Sequence, residues 1–222
     1  MSYGGVESIL NLSLILDNEH GLTLVDTGLP GQMDLIEEAL RKDGFTISEL
    51  KQIILTHQDI DHVGSLHRLK ERTLATVYAF SDEVPYIDGT IAPIKMPSRE
   101  RLAEMPEIAA WLKLHAPTSV DESIQDRQVL TKSAGAVVIA TPGHTPGHIS
   151  LYLPTTRTLI AGDALTSEAG TLSGPGERGT PDMALAGQSV KKLAELDVET
   201  IVCYHGGLVT EGASGQLERV AG

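Results

Sequence analysis

The segment Thr56-His57-Gln58-Asp59-Ile60-Asp61-His62-Val63-Gly64 carries four candidate metal ligands, His57, Asp59, Asp61 and His62, within six positions. Imidazole nitrogens and carboxylate oxygens are the donors that catalytic divalent-metal sites use. Side chains alternate in extended chain, so His57, Asp59 and Asp61 are expected to converge on one side of a loop while His62 turns in as a helix begins. A lone histidine is more often a hydrogen-bonded packing residue, an explanation that four clustered donors do not share. Three further candidates each follow a strand-like run: His144 in Thr141-Pro-Gly-His-Thr-Pro-Gly-His148, Asp163 in Ala161-Gly-Asp-Ala164, and His205 in Cys203-Tyr-His-Gly-Gly207. Loops beyond strand ends project side chains into clefts, so seven such donors point to a catalytic metal centre.

The elements that must position these loops are short. Leu12–Leu16, Leu22–Asp26 and Ile53–Thr56 read as strands, and a helix after Gly31 is marked by Leu35, Ile36, Ala39 and Leu40 with Gly44 as its stop. Val63, Leu66 and Leu69 share a helical face behind the His/Asp cluster, and Thr76–Phe80 is a strand. Residues 81–118 contain Pro85, Pro93, Pro97, Pro106 and Pro117 around a helix expected from Arg99 to His115, and read as an insertion over one side of the core. Its Tyr86, Ile87, Ile91, Met96, Met105, Trp111 and Leu112 offer apolar surface for a pocket, although residues at helical spacing more often pack on the core. The last third resumes strands at Val137–Ala140, Ile149–Leu153 and Thr158–Ala161. A Gly-rich loop, Ala169–Thr180, then precedes a helix with Pro181 in its first turn and Thr180 as N-cap, and a buried strand, Thr200–Cys203, follows.

Composition bounds what this site can serve. The 222 residues are 41% hydrophobic and 21% charged, enough for a real core in one domain spanning 1–222. Thirty acidic against seventeen basic residues give a net charge of −13, which repels phosphate backbones and anionic lipid and argues against nucleic acid or membranes as partners. The basic stretch Arg68–Arg72 is interrupted by Leu69 and Glu71 and reads as an exposed helix face. Cys203 is the sole cysteine, no signal peptide opens the chain, and no stretch approaches the roughly 20 apolar residues of a membrane span, so a cytoplasmic protein is expected. Nothing specifies or excludes a homodimer.

These motifs together resemble the metallo-β-lactamase superfamily, whose pattern runs His-x-His-x-Asp-His, then a His, an Asp and a His. Val25-Asp-Thr-Gly28 belongs to the resemblance, which covers nearly the whole chain. It implies a four-layer αββα sandwich of two mixed sheets, with His57, Asp59 and His144 on a first metal, Asp61, His62 and His205 on a second, and Asp163 bridging them. Asp26 would fix the ligand loop from behind, as metal sites commonly require, although a simple turn role before Gly28 suits it equally. His148 matches a position that is not a ligand, and with His20, His67 and His115 it is assigned a structural or exposed role.

The departure from the pattern is Asp59, where the family has a second histidine. The four charges of two divalent ions are then matched by Asp59, Asp61, Asp163 and one hydroxide, leaving a neutral site instead of one at +1. Zinc remains the first expectation, and iron or manganese becomes more favourable with the added hard oxygen. The implied activity is hydrolysis of a small-molecule substrate with an ester-like bond, a lactone, thioester or relative, by a metal-bridging hydroxide with Asp61 accepting or orienting its proton. A secreted β-lactamase is not expected without an export signal. Residues 206–222 leave no room for the helical domain with which glyoxalase II enzymes bind glutathione, and Thr166 stands where acyl-homoserine lactonases often carry Tyr. Asp59 also resembles the carboxylate of flavodiiron proteins, so di-iron redox chemistry with a separate reductase is one alternative, and a non-catalytic metal-dependent sensor is another.

Overall fold

The computed structural model describes residues 2–3, 6–7 and 9–222, which form two compact units, residues 14–123 and residues 1–13 with 124–222. β1 (Ser2–Tyr3) and β2 (Val6–Glu7) pair antiparallel.

The unit of residues 14–123 is built on a five-stranded sheet, in the order β3 (Ser13–Asp17), β4 (Gly21–Val25), β5 (Leu50–Leu55), β6 (Thr76–Phe80) and β7 (Glu122–Ile124). β4, β5 and β6 are parallel, with Val25 paired to Ile54 and Ile54 to Tyr78. A parallel strand covered on both faces must be apolar throughout, and Ile53, Ile54 and Leu55 are all fully buried. The crossover between β4 and β5 is α1 (Met33–Lys42), which buries Met33, Ile36 and Leu40 and ends before Gly44 in the left-handed region at φ +87°. Past β5 come α2 (Ile60–Val63) and α3 (Leu66–Arg72), the latter burying Leu66 and Leu69. Gly64, between them, has no room for a side chain: a Cβ would lie 2.3 Å from Pro30. This approach brings the loop after β4 onto the ligand segment, where Thr27 N donates to the His62 carbonyl at 2.7 Å.

The insertion holds α4 (Val84–Ile87), α5 (Arg99–Ala103) and α6 (Pro106–Leu114). The single helix expected over 99–115 is therefore two. Pro106 has no amide hydrogen to continue a helix and suits a first turn, so the chain breaks at Met105 and restarts.

The other unit holds a six-stranded sheet in the order β15 (Gly207–Val209), β14 (Thr200–Cys203), β11 (Thr158–Gly162), β10 (Ile149–Leu153), β9 (Ala136–Ala140) and β8 (Val129–Leu130). Its pairs are antiparallel except β11 with β14, so those two strands end side by side. α7 (Met183–Leu193) and α8 (Ala213–Ala221) cover it, with Ile139, Leu159, Ala161, Leu193, Ile201 and Leu217 among the buried residues of one core cluster. The expected Gly-rich loop after Ala169 contains structure: β12 (Thr166–Glu168) and β13 (Thr171–Ser173) form a hairpin turned by Ala169 and Gly170, both at positive φ. The N-cap of α7 is Asp182, whose side chain accepts from Leu185 N at 2.9 Å, in place of the expected Thr180. Among the described residues no helix is long and apolar enough to cross a membrane.

In the first unit Asp121 ties the sheet edge to α3. It accepts Val77 N at 2.9 Å and Lys70 Nζ at 2.6 Å. Partial burial raises its carboxyl, but the Lys70 and Val77 hydrogen bonds and the Lys70 charge outweigh this and hold it below the usual carboxylate range. A carboxyl depressed in the fold contributes stability above its unfolded value near pH ~3.9, and that contribution is lost as pH falls through the folded value. In urea unfolding between pH 6 and 3, Asp121→Asn should therefore lose less stability than the wild type. Parallel pH dependences of the two would contradict the assignment.

Candidate metal centre

β4 and β5 run parallel, so Asp26 and the Thr56–His62 loop leave the sheet side by side. Asp26 is buried and sits in the left-handed region at φ +62°, a conformation that aspartate tolerates better than most side chains. Its carboxylate accepts Thr56 N at 2.8 Å, Thr56 Oγ1 at 2.8 Å and His62 Nδ1 at 2.9 Å. The Thr56 hydroxyl has one proton, which Asp26 takes, so at 3.0 Å from His57 Nδ1 it acts as acceptor. Both imidazoles are thereby assigned the Nδ1–H tautomer, with the Nε2 lone pair as the donor. The rings stand 4.0 Å apart between centroids, and His57 Nε2 lies 3.3 Å from Asp59 Oδ2. Asp59 is the extended N-cap of α2, which puts Asp61 in the helix's first turn. The expected alternation therefore holds for His57 and Asp59, whereas Asp61 reaches His62 by helical geometry, with Oδ2 3.9 Å from Nε2.

The second unit repeats the device. β11 ends at Gly162 and β14 at Cys203, and the loops after them carry Asp163 and His205. Asp163 Oδ2 lies 3.4 Å from His205 Nε2 and 3.3 Å from His144 Nε2. His144 Nδ1 is held by Thr180 Oγ1 at 3.1 Å, which is the work Thr180 does instead of capping α7. His148 is structural, as expected: buried, it accepts Asp163 N at 2.9 Å through Nε2, while Nδ1 meets Thr141 Oγ1 at 2.8 Å. Gly206, at φ +111°, passes so close to the Ser167 carbonyl that a Cβ would fall 1.7 Å from its oxygen. Cys203 is no nucleophile: burial, with a smaller push from the Asp163 charge and against a Ser167 hydrogen bond, drives its thiol up to about 12.

The first unit therefore gathers His57, Asp59, Asp61 and His62, and the second gathers His144, Asp163 and His205. In three of them, His57, His62 and His144, the ring is held from behind by a hydroxyl or carboxylate. The Nε2 atoms of His57, His144 and His205 lie 3.3–3.4 Å from carboxylate oxygens, a nitrogen and oxygen donor chemistry that suits divalent metal ions.

Three residues of the site escaped the sequence reading. Glu83 is buried and accepts Gln58 N at 2.8 Å and Gln58 Nε2 at 3.1 Å. Gln58 Oε1 in turn accepts Ile94 N at 2.9 Å, fastening the insertion to the ligand loop. Lys95 follows at once, its Nζ 2.5 Å from Asp59 Oδ2. The signal for Glu83 and Lys95 was absent because each acts across more than 20 residues of chain. Beside Asp59 and Asp61 the insertion and α2 line an open pocket of about 160 Å³, with Ile60, Met96, Ile108 and Leu112 in its wall. Met96 and Leu112 thus line a pocket, whereas Ile87 packs in the core as its spacing implied. His115 also lines it, and burial, with His67 nearby, lowers its pKa, so it is a neutral wall at neutral pH.

Residues 10–205 match the model of the metallo-β-lactamase superfamily, and the chain belongs to that family. It is 34% identical over 209 residues to the probable metallo-hydrolase YflN of Bacillus subtilis (strain 168), covering 84% of this chain and 76% of that one. It is 30% identical over 179 residues to a hydroxyacylglutathione hydrolase of Bartonella henselae, covering 78% of this chain and 54% of the relative, so it spans about half of that protein's length. A crystal structure of a metallo-β-lactamase family protein from Thermus thermophilus superposes with a TM-score of 0.75 at 24% identity, over 96% of this chain and 73% of that one. The fold class is accordingly the α/β, metallo-β-lactamase type that the motifs implied, and the chain carries candidate His and Asp ligand groups for divalent metals.

Asp26→Asn keeps the left-handed residue and the shape but puts an amide where a carboxylate accepts. Metal affinity measured by chelator competition should fall about 10–100-fold, the usual cost of losing a group that orients a ligand. Unchanged affinity would mean that Asp26 only shapes the turn.

Proposed function

We propose that this chain is a metal-dependent hydrolase that opens a small ester-like bond, in a lactone, thioester or related substrate, at a centre holding two divalent ions. His57, Asp59 and His144 would hold the first, Asp61, His62 and His205 the second, and Asp163 both. The observation that carries this reading is the set of seven candidate donors on the loops and the short helix that follow strand ends, every one inside the residues that match the superfamily. Asp163 supports its shared role by presenting one oxygen to two imidazoles at once. Zinc suits the mixed nitrogen and oxygen donor set, with iron or manganese as the alternatives that Asp59 favours.

Two bound divalent ions supply Lewis acidity and a water acidic enough to attack a carbonyl near neutral pH. The chain's own residues do the rest. Asp26 and Thr56 hold the His57 and His62 imidazoles in one tautomer and Thr180 braces the His144 ring, so little reorientation is required during reaction. Asp61, in the first turn of α2 with a quarter of its side chain exposed, would accept the attacking water's proton. The cavity of the insertion would take the substrate's apolar part. A cavity of ~150 Å³ holds a benzene molecule, so its volume suits an acyl or ring group of about six carbons.

Purified protein should contain two ions per chain and turn over members of a panel of lactones and acyl thioesters, with activity lost on chelation and recovered with metal. Asp61→Asn should weaken binding of the second ion and lower kcat about 10²–10⁴-fold even with enough added metal to fill both sites. A metal-loaded protein inert on the whole panel would refute the hydrolase reading. Leu112→Trp should raise KM for a hexanoyl ester at least ~10-fold, the loss expected when several buried methylenes are excluded, and spare the acetyl ester. Equal effects on both would remove the cavity from substrate binding.

A further inference from the structure

We propose that Lys95 is a positioning residue of the metal centre, whose ammonium compensates the charge that Asp59 brings to a position where the family pattern has a neutral histidine. The proposal rests on the two-ion reading above.

Lys95 Nζ lies 2.5 Å from Asp59 Oδ2, the same oxygen that lies 3.3 Å from His57 Nε2. A carboxylate oxygen has two lone-pair directions, so Oδ2 can accept from the ammonium along one and face a cation along the other. The pair is partly buried, with 26% of the Lys95 side chain and 16% of that of Asp59 exposed, and attraction between charges is far stronger there than in water. Its geometry is also imposed from behind. Ile94, the preceding residue, is hydrogen-bonded to Gln58, the residue before Asp59, and Gln58 is clamped by the fully buried Glu83. Two adjacent positions in the insertion thus dock on two adjacent positions in the ligand loop. A flexible surface lysine would have no such anchorage.

Counting carboxylates alone makes the site neutral, but with Lys95 included the +1 of the usual histidine-bearing pattern returns. Asp59 and Lys95 should then be exchangeable as a pair and not singly. Asp59→His leaves an ammonium facing two dications. Lys95→Met leaves a carboxylate without its partner, and the site should favour harder ions.

The test is a double-mutant cycle on metal binding. Zinc and manganese affinities are measured by chelator competition on the apoproteins of wild type, D59H, K95M and D59H/K95M, with thermal unfolding to confirm that each is folded. For charges a few ångströms apart in a partly buried site, D59H should bind zinc at least ~10-fold more weakly. K95M should shift the manganese-to-zinc preference at least ~5-fold toward manganese, and the double variant should return to within about 3-fold of wild type on both measures. Lys95→Arg, which keeps the charge, should also stay within about 3-fold. If D59H is unfolded, the same cycle is run with D59N, which removes the same charge.

Additive losses in the double variant, or single variants indistinguishable from wild type, would overturn the role of Lys95 while leaving the two-ion reading intact. A wild-type protein that binds no metal would overturn both.

Discussion

A single carboxylate organises the first half of the site. Asp26 is held in the left-handed region, a costly conformation for a side chain with a Cβ, and in return its two oxygens meet an amide, a hydroxyl and an imidazole. From that one group follow the direction in which the chain leaves β5, the tautomer of His62 and, through the Thr56 hydroxyl, the tautomer of His57. Remove the carboxylate's acceptor character and two ring nitrogens lose the reason to point their lone pairs at Asp59 and Asp61. The strain at Asp26 is supported from outside by the close pass of Pro30 over Gly64, which only a missing side chain allows.

Both units rely on the same piece of geometry. Parallel neighbours end together, so two sequence-distant loops emerge side by side: Asp26 with His57 after β4 and β5, Asp163 with His205 after β11 and β14. In antiparallel pairs the strand following a loop would carry the next ligand back to the opposite edge. His144 is the exception, reaching Asp163 from an antiparallel connection, and it is the ligand with a dedicated brace in Thr180 and with His148 fixing the Asp163 backbone. The orientation of the candidate ligands therefore comes from hydrogen bonds to Asp26, Thr56, Thr180 and His148, while the sheets set only the approximate positions.

Much of this was legible in the residues. The central strands announced themselves because β5, β10 and β14 are largely apolar runs bounded by polar loops, and Thr76–Phe80, Ile149–Leu153 and Thr200–Cys203 coincide with the observed strands. Six of the seven candidate donors follow the motif, and Asp59 departs from it. The failures share a physical cause. Short strands such as β12, β13 and β15 have too few residues to show alternation, and their pairing depends on a partner elsewhere in the chain. α8 lies where Gly212 and Gly215 mask its start. Thr180 looked like a cap because local chemistry favours one, yet a more distant histidine claims its hydroxyl. Glu83 and Lys95 were invisible for the same reason: a residue that serves another 25 or 36 positions away leaves no periodic trace. The charge count made from the motif took in only the candidate ligands, and Lys95 stands outside the motif.

Two ions sharing one carboxylate are the central requirement of the proposed chemistry. Electron paramagnetic resonance of the protein loaded with two equivalents of manganese(II) tests this directly. Ions roughly 3.5–4 Å apart with a common carboxylate, the separation of two-metal hydrolytic sites, should give the multiline spectrum of an exchange-coupled pair. The spectrum of isolated manganese(II), or saturation at one equivalent, would contradict it.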